Sequence, residues 1–129
     1  MTDTTVPTET ATLVDIHLAA YAEPDRARRT ELLGQVWAGD GQLLDPPFDG
    51  AGVDAIADLV DTVLEHFPGH AFRRTTVVDE HHGFARYGWD LVGPDGTVAV
   101  GGTDVAEIVD GRLVRVVGFF GDLAAVPAA

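Results

Sequence analysis

The segment from residue 97 to residue 120, TVAVGGTDVAEIVDGRLVRVVGFF, alternates apolar and other side chains on both sides of Asp110-Gly111. Such alternation is typical of β-strands, and Asp-Gly between two alternating runs is a strong hairpin signal. The sequence therefore predicts two long antiparallel strands, over residues 97–109 and 112–120.

The same period of two extends backwards to residue 70. Strands are expected over residues 70–79 and 84–92, and the sequence GPDG at residues 93–96 has the chemistry of a turn. Four consecutive antiparallel strands are thus predicted, with one further short strand, QLLDPP, at residues 42–47. Earlier in the chain, the apolar positions recur at helical spacing.

Three helices are expected before this meander. The first begins at Ala11 and places His17 and Tyr21 on its apolar stripe, the second covers residues 25–38, and the third covers residues 53–67. Helices followed by strands predict an α+β domain in which a curved antiparallel sheet wraps around three N-terminal helices. The domain is expected over residues 11–123, between a flexible tail at 1–10 and a second tail at 124–129.

Composition restricts the possible functions of this 129-residue chain. The formal net charge of -13 excludes nucleic acids and anionic membrane surfaces as partners, because both require a basic surface. The chain contains neither cysteine nor serine, which excludes disulfides, thiolate metal sites and both of the commonest nucleophiles. The N-terminus does not have the pattern of a signal peptide and no apolar run reaches membrane length, so a cytoplasmic location is expected.

Asp104 is the only charged residue on its face of the strand over residues 97–109. Its neighbours on that face, Gly102 and Ala106, are small and leave space beside the carboxylate. A buried acid must be paired, protonated or in contact with a cavity. Two interpretations stay open: Asp104 projects into a ligand cavity, or it is paired with an inward-facing arginine such as Arg115.

Asp45 ends the apolar run of the short strand, immediately before Pro46-Pro47. It is either a turn residue or a carboxylate that shares the inner face with Leu43. Adjacent histidines, His81 and His82, have no third ligand at a suitable spacing, so no metal is expected.

Tyr87 and Trp89 share a face opposite Asp90. The sequence favours an exposed aromatic row that forms a dimer interface, or a row that packs on the core.

The segments VWAGDGQLLDPP, GAGVDAIADLV, FARYGWDLVGPDG and GGTDVAEIVDGRLVRVVGFFG resemble the nuclear transport factor 2-like superfamily. The chain is especially similar to its bacterial SnoaL-like and ketosteroid-isomerase-like members. The resemblance covers residues 13–123 and implies a cone-shaped α+β barrel, a pocket at its wide end and a homodimer formed through the sheet.

The resemblance also implies roles for individual residues. Asp45 matches the Asp-Pro general base of ketosteroid isomerases, and Asp104 matches the neutral acid that hydrogen-bonds the substrate oxygen. Tyr21 or His17 matches the hydroxyl donor of the first helix. The expected ligand-binding residues are Trp37, Phe72, Val100, Gly102 and Phe119.

Three functions are compatible with these observations. The first is cofactor-free proton transfer on a hydrophobic carbonyl compound by an isomerase or polyketide cyclase. The second is binding of a hydrophobic small molecule without catalysis. The third is a dimeric interaction module whose pocket is filled by Trp37, Phe72 and Phe119.

Overall fold

The computed structural model describes residues 5–128 and contains three helices, α1 (Thr5–Ala20), α2 (Arg26–Val36) and α3 (Val53–His66). Helix α1 begins six residues earlier than expected, so residues 5–10 are its first turns rather than a tail. The start of α2 is as expected, since the side chain of Asp25 accepts a hydrogen bond from the amide of Ala27. Residues 122–128 contain no helix or strand.

Seven strands form one sheet in the order β2-β1-β7-β6-β5-β3, with β4 paired to β5. Their bounds are β1 Trp37–Asp45, β2 Phe48–Ala51, β3 Ala71–Arg74, β4 Asp79–His81, β5 Phe84–Val92, β6 Val98–Val109 and β7 Arg112–Phe120. The predicted α+β class is confirmed, and the sheet curls without closing. It is mixed rather than wholly antiparallel, because β1 pairs with β7 in parallel. Helix α3 and five strands separate these two strands along the chain, a connection long enough to allow parallel pairing.

The first half of the sheet differs from the sequence prediction. Helix α2 ends at Val36 rather than at residue 38, and β1 begins at Trp37 rather than at residue 42. A hairpin to β2 follows β1, which the sequence did not predict.

The strand predicted over residues 70–79 is divided into β3 and β4, which pair with opposite ends of β5. Between β3 and β4, Thr75 and Thr76 form hydrogen bonds with Gly88 and do not continue the strand. The amide of Gly88 donates to the hydroxyl of Thr76, and the carbonyl of Gly88 accepts from the amide of Thr75. These contacts replace a continuous strand pairing.

The core lies between the helices and the inner face of the sheet. Helices α1, α2 and α3 contribute Val14, Leu33 and Ile56, each fully buried, and the sheet contributes Leu43 and Val116. Within the described residues, no helix is long and apolar enough to cross a membrane. The packed core occupies one part of the curled sheet and leaves a cavity in the other.

Candidate active site

The cavity has a volume of about 380 Å³ and lies between α1, α3 and the inner face of the sheet. Small-molecule pockets in proteins range from roughly 300 to 1,000 Å³, so this cavity accommodates a small ligand. Its lining is mostly aliphatic and aromatic. The ionisable side chains that line it are His17, Tyr21, Asp45 and Asp104.

Asp104 lies in the middle of β6 and is only 6% exposed. Its Oδ2 accepts a hydrogen bond from the hydroxyl of Tyr87, and its Oδ1 accepts one from Nε1 of Trp89, both at 2.9 Å. Tyr87 is the direct cross-strand partner of Asp104, so the two side chains share the inner face of the sheet. The cavity interpretation of Asp104 is therefore correct.

For each of these residues, the structure rules out one of the two interpretations that the sequence left open. Arg115 does not pair with Asp104, because it lies on the outer face and donates to Glu107 at 2.6 Å. Tyr87 and Trp89 are not an exposed dimer surface, since both are buried and bonded to Asp104. The homodimer stays a prediction without this support.

Asp45 ends β1 and reaches the same cavity. Its Oδ1 is buried and has no hydrogen-bond partner among the described residues. Gly118 on β7 makes the space for it, because a Cβ at this position would lie 1.9 Å from Asp45 Oδ1 and 3.1 Å from Asp104 Oδ1. Both distances are measured from one point, so the two carboxylate oxygens lie within about 5 Å of each other.

Burial and proximity raise the pKa of both acids. Burial raises the pKa of Asp45 to about 6. The pKa of Asp104 rises to about 7, first because of burial and then because of the charge of Asp45, while the hydrogen bonds from Tyr87 and Trp89 oppose the rise. At neutral pH, Asp45 is therefore mostly ionised and Asp104 is partly protonated.

Helix α1 places two hydrogen-bond donors in the cavity. Nδ1 of His17 accepts from Nε1 of Trp37 at 3.1 Å, so the ring proton of neutral His17 lies on Nε2. Burial lowers the pKa of His17 to about 4, which keeps the ring neutral. Burial, followed by the charges of Asp45 and Asp104, raises the pKa of Tyr21, which keeps its hydroxyl protonated. Both candidates for the helix-1 donor thus line the cavity.

The expected ligand-binding residues are placed in two groups. Phe72 and Val100 line the cavity, whereas Trp37, Gly102 and Phe119 do not. Trp37 is buried beside the cavity, where it holds His17. Gly102 is covered by the indole of Trp89, since a Cβ there would lie 2.5 Å from that ring.

Phe119 points away from the cavity and is 57% exposed, and its neighbour Phe120 lines the cavity instead. Phe119 pairs with Thr103 on the outer face, whereas Phe120 pairs with Gly102 on the inner face. The expectation for Phe119 was wrong by one residue, which in a strand is a change of face.

No group of three or more His, Asp or Glu residues could hold a metal ion in the part of the chain that the structure describes. His81 and His82 are exposed, and their Nδ1 atoms lie 3.0 Å apart.

Comparison with known proteins places this geometry in a family. No protein-family model matches the chain, and no curated protein matches it. The solved structure of a proposed isomerase of the SnoaL-like family from Agrobacterium tumefaciens is 38% identical, with a TM-score of 0.82. The match covers 89% of this chain and 99% of that one. The chain belongs to the SnoaL-like family.

More distant structures share the SnoaL-like fold. A proposed polyketide cyclase from Sinorhizobium meliloti is 19% identical with a TM-score of 0.67, and the match covers 84% of this chain and 94% of that one. A proposed ketosteroid isomerase from Kribbella flavida is 18% identical with a TM-score of 0.65, over 95% and 84% of the two chains. These two structures confirm the fold, and the 38% identical structure from Agrobacterium tumefaciens confirms the family that the sequence segments indicated.

Several residues of this site were not predicted from the sequence, among them Tyr87, Trp89, Gly118 and Phe120. The alternation of β5 contained a signal for the first two, because they share parity with Ala85 and Leu91 and not with the charged residues of that strand. Gly118 had no such signal, since its role depends on the approach of Asp45 from the neighbouring strand β1.

Proposed function

We propose that this SnoaL-like protein catalyses cofactor-free proton transfer on a small hydrophobic carbonyl compound. The observation that supports it most strongly is a pair of carboxylates within about 5 Å of each other in a mostly apolar cavity. Their pKa values of about 6 and about 7 lie near neutral pH, where a general acid or base is most effective.

Asp45 is the proposed general base. At neutral pH it is mostly ionised, and its Oδ1 makes no hydrogen bond that would have to be broken before it accepts a proton. It removes the proton from the carbon next to the substrate carbonyl, and the electron pair of that C–H bond forms the enolate. In an isomerase, Asp45 then returns the proton to another carbon. In a cyclase, the enolate carbon attacks a second carbonyl carbon of the substrate, the C=O π electrons move to that oxygen, and the oxygen takes the proton from Asp45.

Three groups are proposed to stabilise the enolate oxygen. Tyr21 donates its hydroxyl and His17 donates Nε2–H, and Asp104 in its neutral form donates its carboxyl proton. Neutral Asp104 still accepts from Tyr87 and Trp89, because both oxygens of a carboxylic acid retain lone pairs. Those two hydrogen bonds fix the orientation of the acid.

The names of the similar structures are consistent with this chemistry, because they are proposed isomerases and a proposed polyketide cyclase. The mostly apolar lining selects hydrophobic molecules, and the net charge of -13 disfavours anionic ones.

The test is isomerisation of a β,γ-unsaturated steroid ketone, followed by ultraviolet absorbance, together with deuterium exchange at the α-carbon of 2-tetralone, followed by NMR. We expect catalysis by the wild type and a loss of about a thousandfold or more in Asp45→Asn. Asp40→Asn is the matched control, because Asp40 lies on the same strand but is exposed. Equal rates in the wild type and Asp45→Asn would refute Asp45 as the base.

The second candidate is a pocket that binds a hydrophobic molecule without converting it. The cavity volume and its mostly apolar lining favour this function equally, because neither depends on chemistry. Native mass spectrometry of the purified protein tests it: a retained molecule that is released unchanged supports binding alone. The open cavity argues against the interaction module, which required a filled pocket.

A further inference from the structure

Among residues 5–128, no positively charged group pairs with the two carboxylates of the cavity. The sequence contains no lysine, and each of its eight arginines bonds to other groups. Seven form ion pairs outside the cavity, and Arg112 donates to the carbonyls of Gly34 and Trp37. His17 remains neutral because burial lowers its pKa to about 4. The protein therefore leaves the charge of its buried acids uncompensated.

Aromatic side chains surround this uncompensated charge. Tyr21, Phe72, Trp89 and Phe120 form a continuous edge-to-face series, with successive ring centroids 5.0, 5.2 and 5.9 Å apart. All four line the cavity. Proteins bind organic cations with aromatic side chains and carboxylates, because the negative face of an aromatic ring attracts a positive charge.

We propose that this cavity binds a hydrophobic ammonium ion, with the ammonium group against Asp45 Oδ1 and its apolar substituents on the aromatic wall. The ligand supplies the positive charge that the chain lacks. This binding goes beyond the proposed proton transfer and does not require turnover. A hydrophobic ammonium ion occupies the same cavity as the carbonyl compound and therefore competes with it.

The cavity suits an organic cation rather than a metal ion. Calcium requires six to eight oxygen ligands, and magnesium requires an octahedral set. Here the two carboxylates are surrounded mainly by aliphatic and aromatic groups, which cannot complete either set. A quaternary ammonium ion has no proton to donate, and its methyl groups fit an apolar lining.

Isothermal titration calorimetry at pH 8 with two isosteric probes tests the proposal. Benzyltrimethylammonium carries the charge, and neopentylbenzene has the same shape without it. We expect the wild type to bind the cation at least about tenfold more tightly than the neutral probe. In Asp45→Asn this preference should fall about tenfold, while the Kd of neopentylbenzene stays within about twofold. Asp40→Asn, with the same change in net charge, should keep the full preference.

The preference should also weaken between pH 8 and pH 5. The titratable groups around Asp45 are Asp104 on β6, His17 on α1, Tyr21 in the turn after α1, and Tyr87 on β5; the lining residues of α3 and β7 are apolar. The raised pKa values of the two acids place their protonation in this interval.

Three results would overturn the proposal: equal affinity for the two probes, a preference unchanged in Asp45→Asn, or no binding of the cation at all. These results are separate from those of the turnover assay. A protein that prefers the cation but isomerises nothing refutes only the proton transfer, whereas turnover without a preference refutes only the cation site.

Discussion

Charged side chains are buried on helix α2 and in the cavity, and the two places differ in how completely these side chains are hydrogen-bonded. Arg29 on α2 is 1% exposed, and its guanidinium donates four hydrogen bonds. It donates to Asp61 at 2.6 Å and to the carbonyls of Glu23, Pro24 and Ala57 at 3.0, 3.3 and 3.1 Å. This side chain joins the turn after α1 to helix α3.

The carboxylates of the cavity have no such compensation. Asp104 accepts two neutral hydrogen bonds, and Oδ1 of Asp45 accepts none. A buried charge that stabilises a fold is satisfied by its surroundings, whereas one that acts on a ligand keeps an atom free for it. This difference is consistent with a structural role for Arg29 and with the proposed role of Asp45 in acting on a ligand.

Replacing Arg29 should have the largest effect on stability. Arg29→Met removes four hydrogen bonds, including the one to the buried carbonyl of Ala57, so we expect a loss of about 3–5 kcal/mol in the free energy of unfolding. Urea denaturation measures it. Arg28→Met, at an exposed position of the same helix, should change stability by less than about 0.5 kcal/mol. Similar losses in both variants would contradict the structural role.

Gly118→Ala should disturb the functional site itself. The added Cβ would lie 1.9 Å from Asp45 Oδ1, so the carboxylate of Asp45 must move and its spacing from Asp104 changes. We expect about 1–3 kcal/mol of destabilisation and, in the tetralone assay, a rate lower by about tenfold or more. Gly39→Ala is the control, because nothing lies within 4 Å of a Cβ at that position. A fully active Gly118→Ala would show that the spacing of the two acids is unimportant.

Asp45→Asn should stabilise the protein, in contrast to Arg29→Met. The folded state binds a proton at Asp45 more tightly than the unfolded chain does, because burial raises its pKa from 3.8 to about 6. The wild type therefore loses stability as pH rises from about 4 to above 6, and the variant does not share this loss. We expect a gain of about 1–2 kcal/mol at pH 8 and none at pH 4, measured by urea denaturation. A loss of stability at pH 8 would mean that the carboxylate is compensated.

Tyr87→Phe should have the smallest effect. The hydroxyl of Tyr87 donates to Asp104 and lowers the pKa of that acid, so its removal should raise the pKa by about 0.5–1 unit. The measurement is an NMR titration of the Asp104 carboxyl carbon. Tyr21→Phe is a useful comparison, because Tyr21 makes no hydrogen bond to Asp104 in the described structure. A fall in the pKa of Asp104 in Tyr87→Phe would contradict the assigned donor.

The sequence predicted the second half of the fold well. Strands β5 and β7 have the predicted bounds, since Gly and Asp-Gly turns separate runs of period two. The parallel pairing of β1 with β7 could not be predicted, because no local pattern shows which distant strands become neighbours.

The site was predicted where alternation identifies the inner face. The positions of Asp104 and Val100 at the cavity could be predicted, because β6 alternates regularly between inner and outer faces along this stretch. Phe119 was placed on the wrong face, and the choice between a dimer surface and core packing for Tyr87 stayed open, because its alignment with Asp104 across the sheet was not known. Such cross-strand alignment is a property of register, which a single strand does not reveal.

The most direct test is a ¹³C NMR titration of the aspartate carboxyl carbons, with Asp45→Asn and Asp104→Asn used to assign the two signals. We expect both acids to titrate with pKa values between about 6 and 7, well above the pKa of about 4 of exposed aspartates. This result would establish a buried carboxylate pair without a counter-charge, ready to exchange a proton near neutral pH. Titration of both acids near 4 would show that they are solvated or compensated, and would contradict the proposed site.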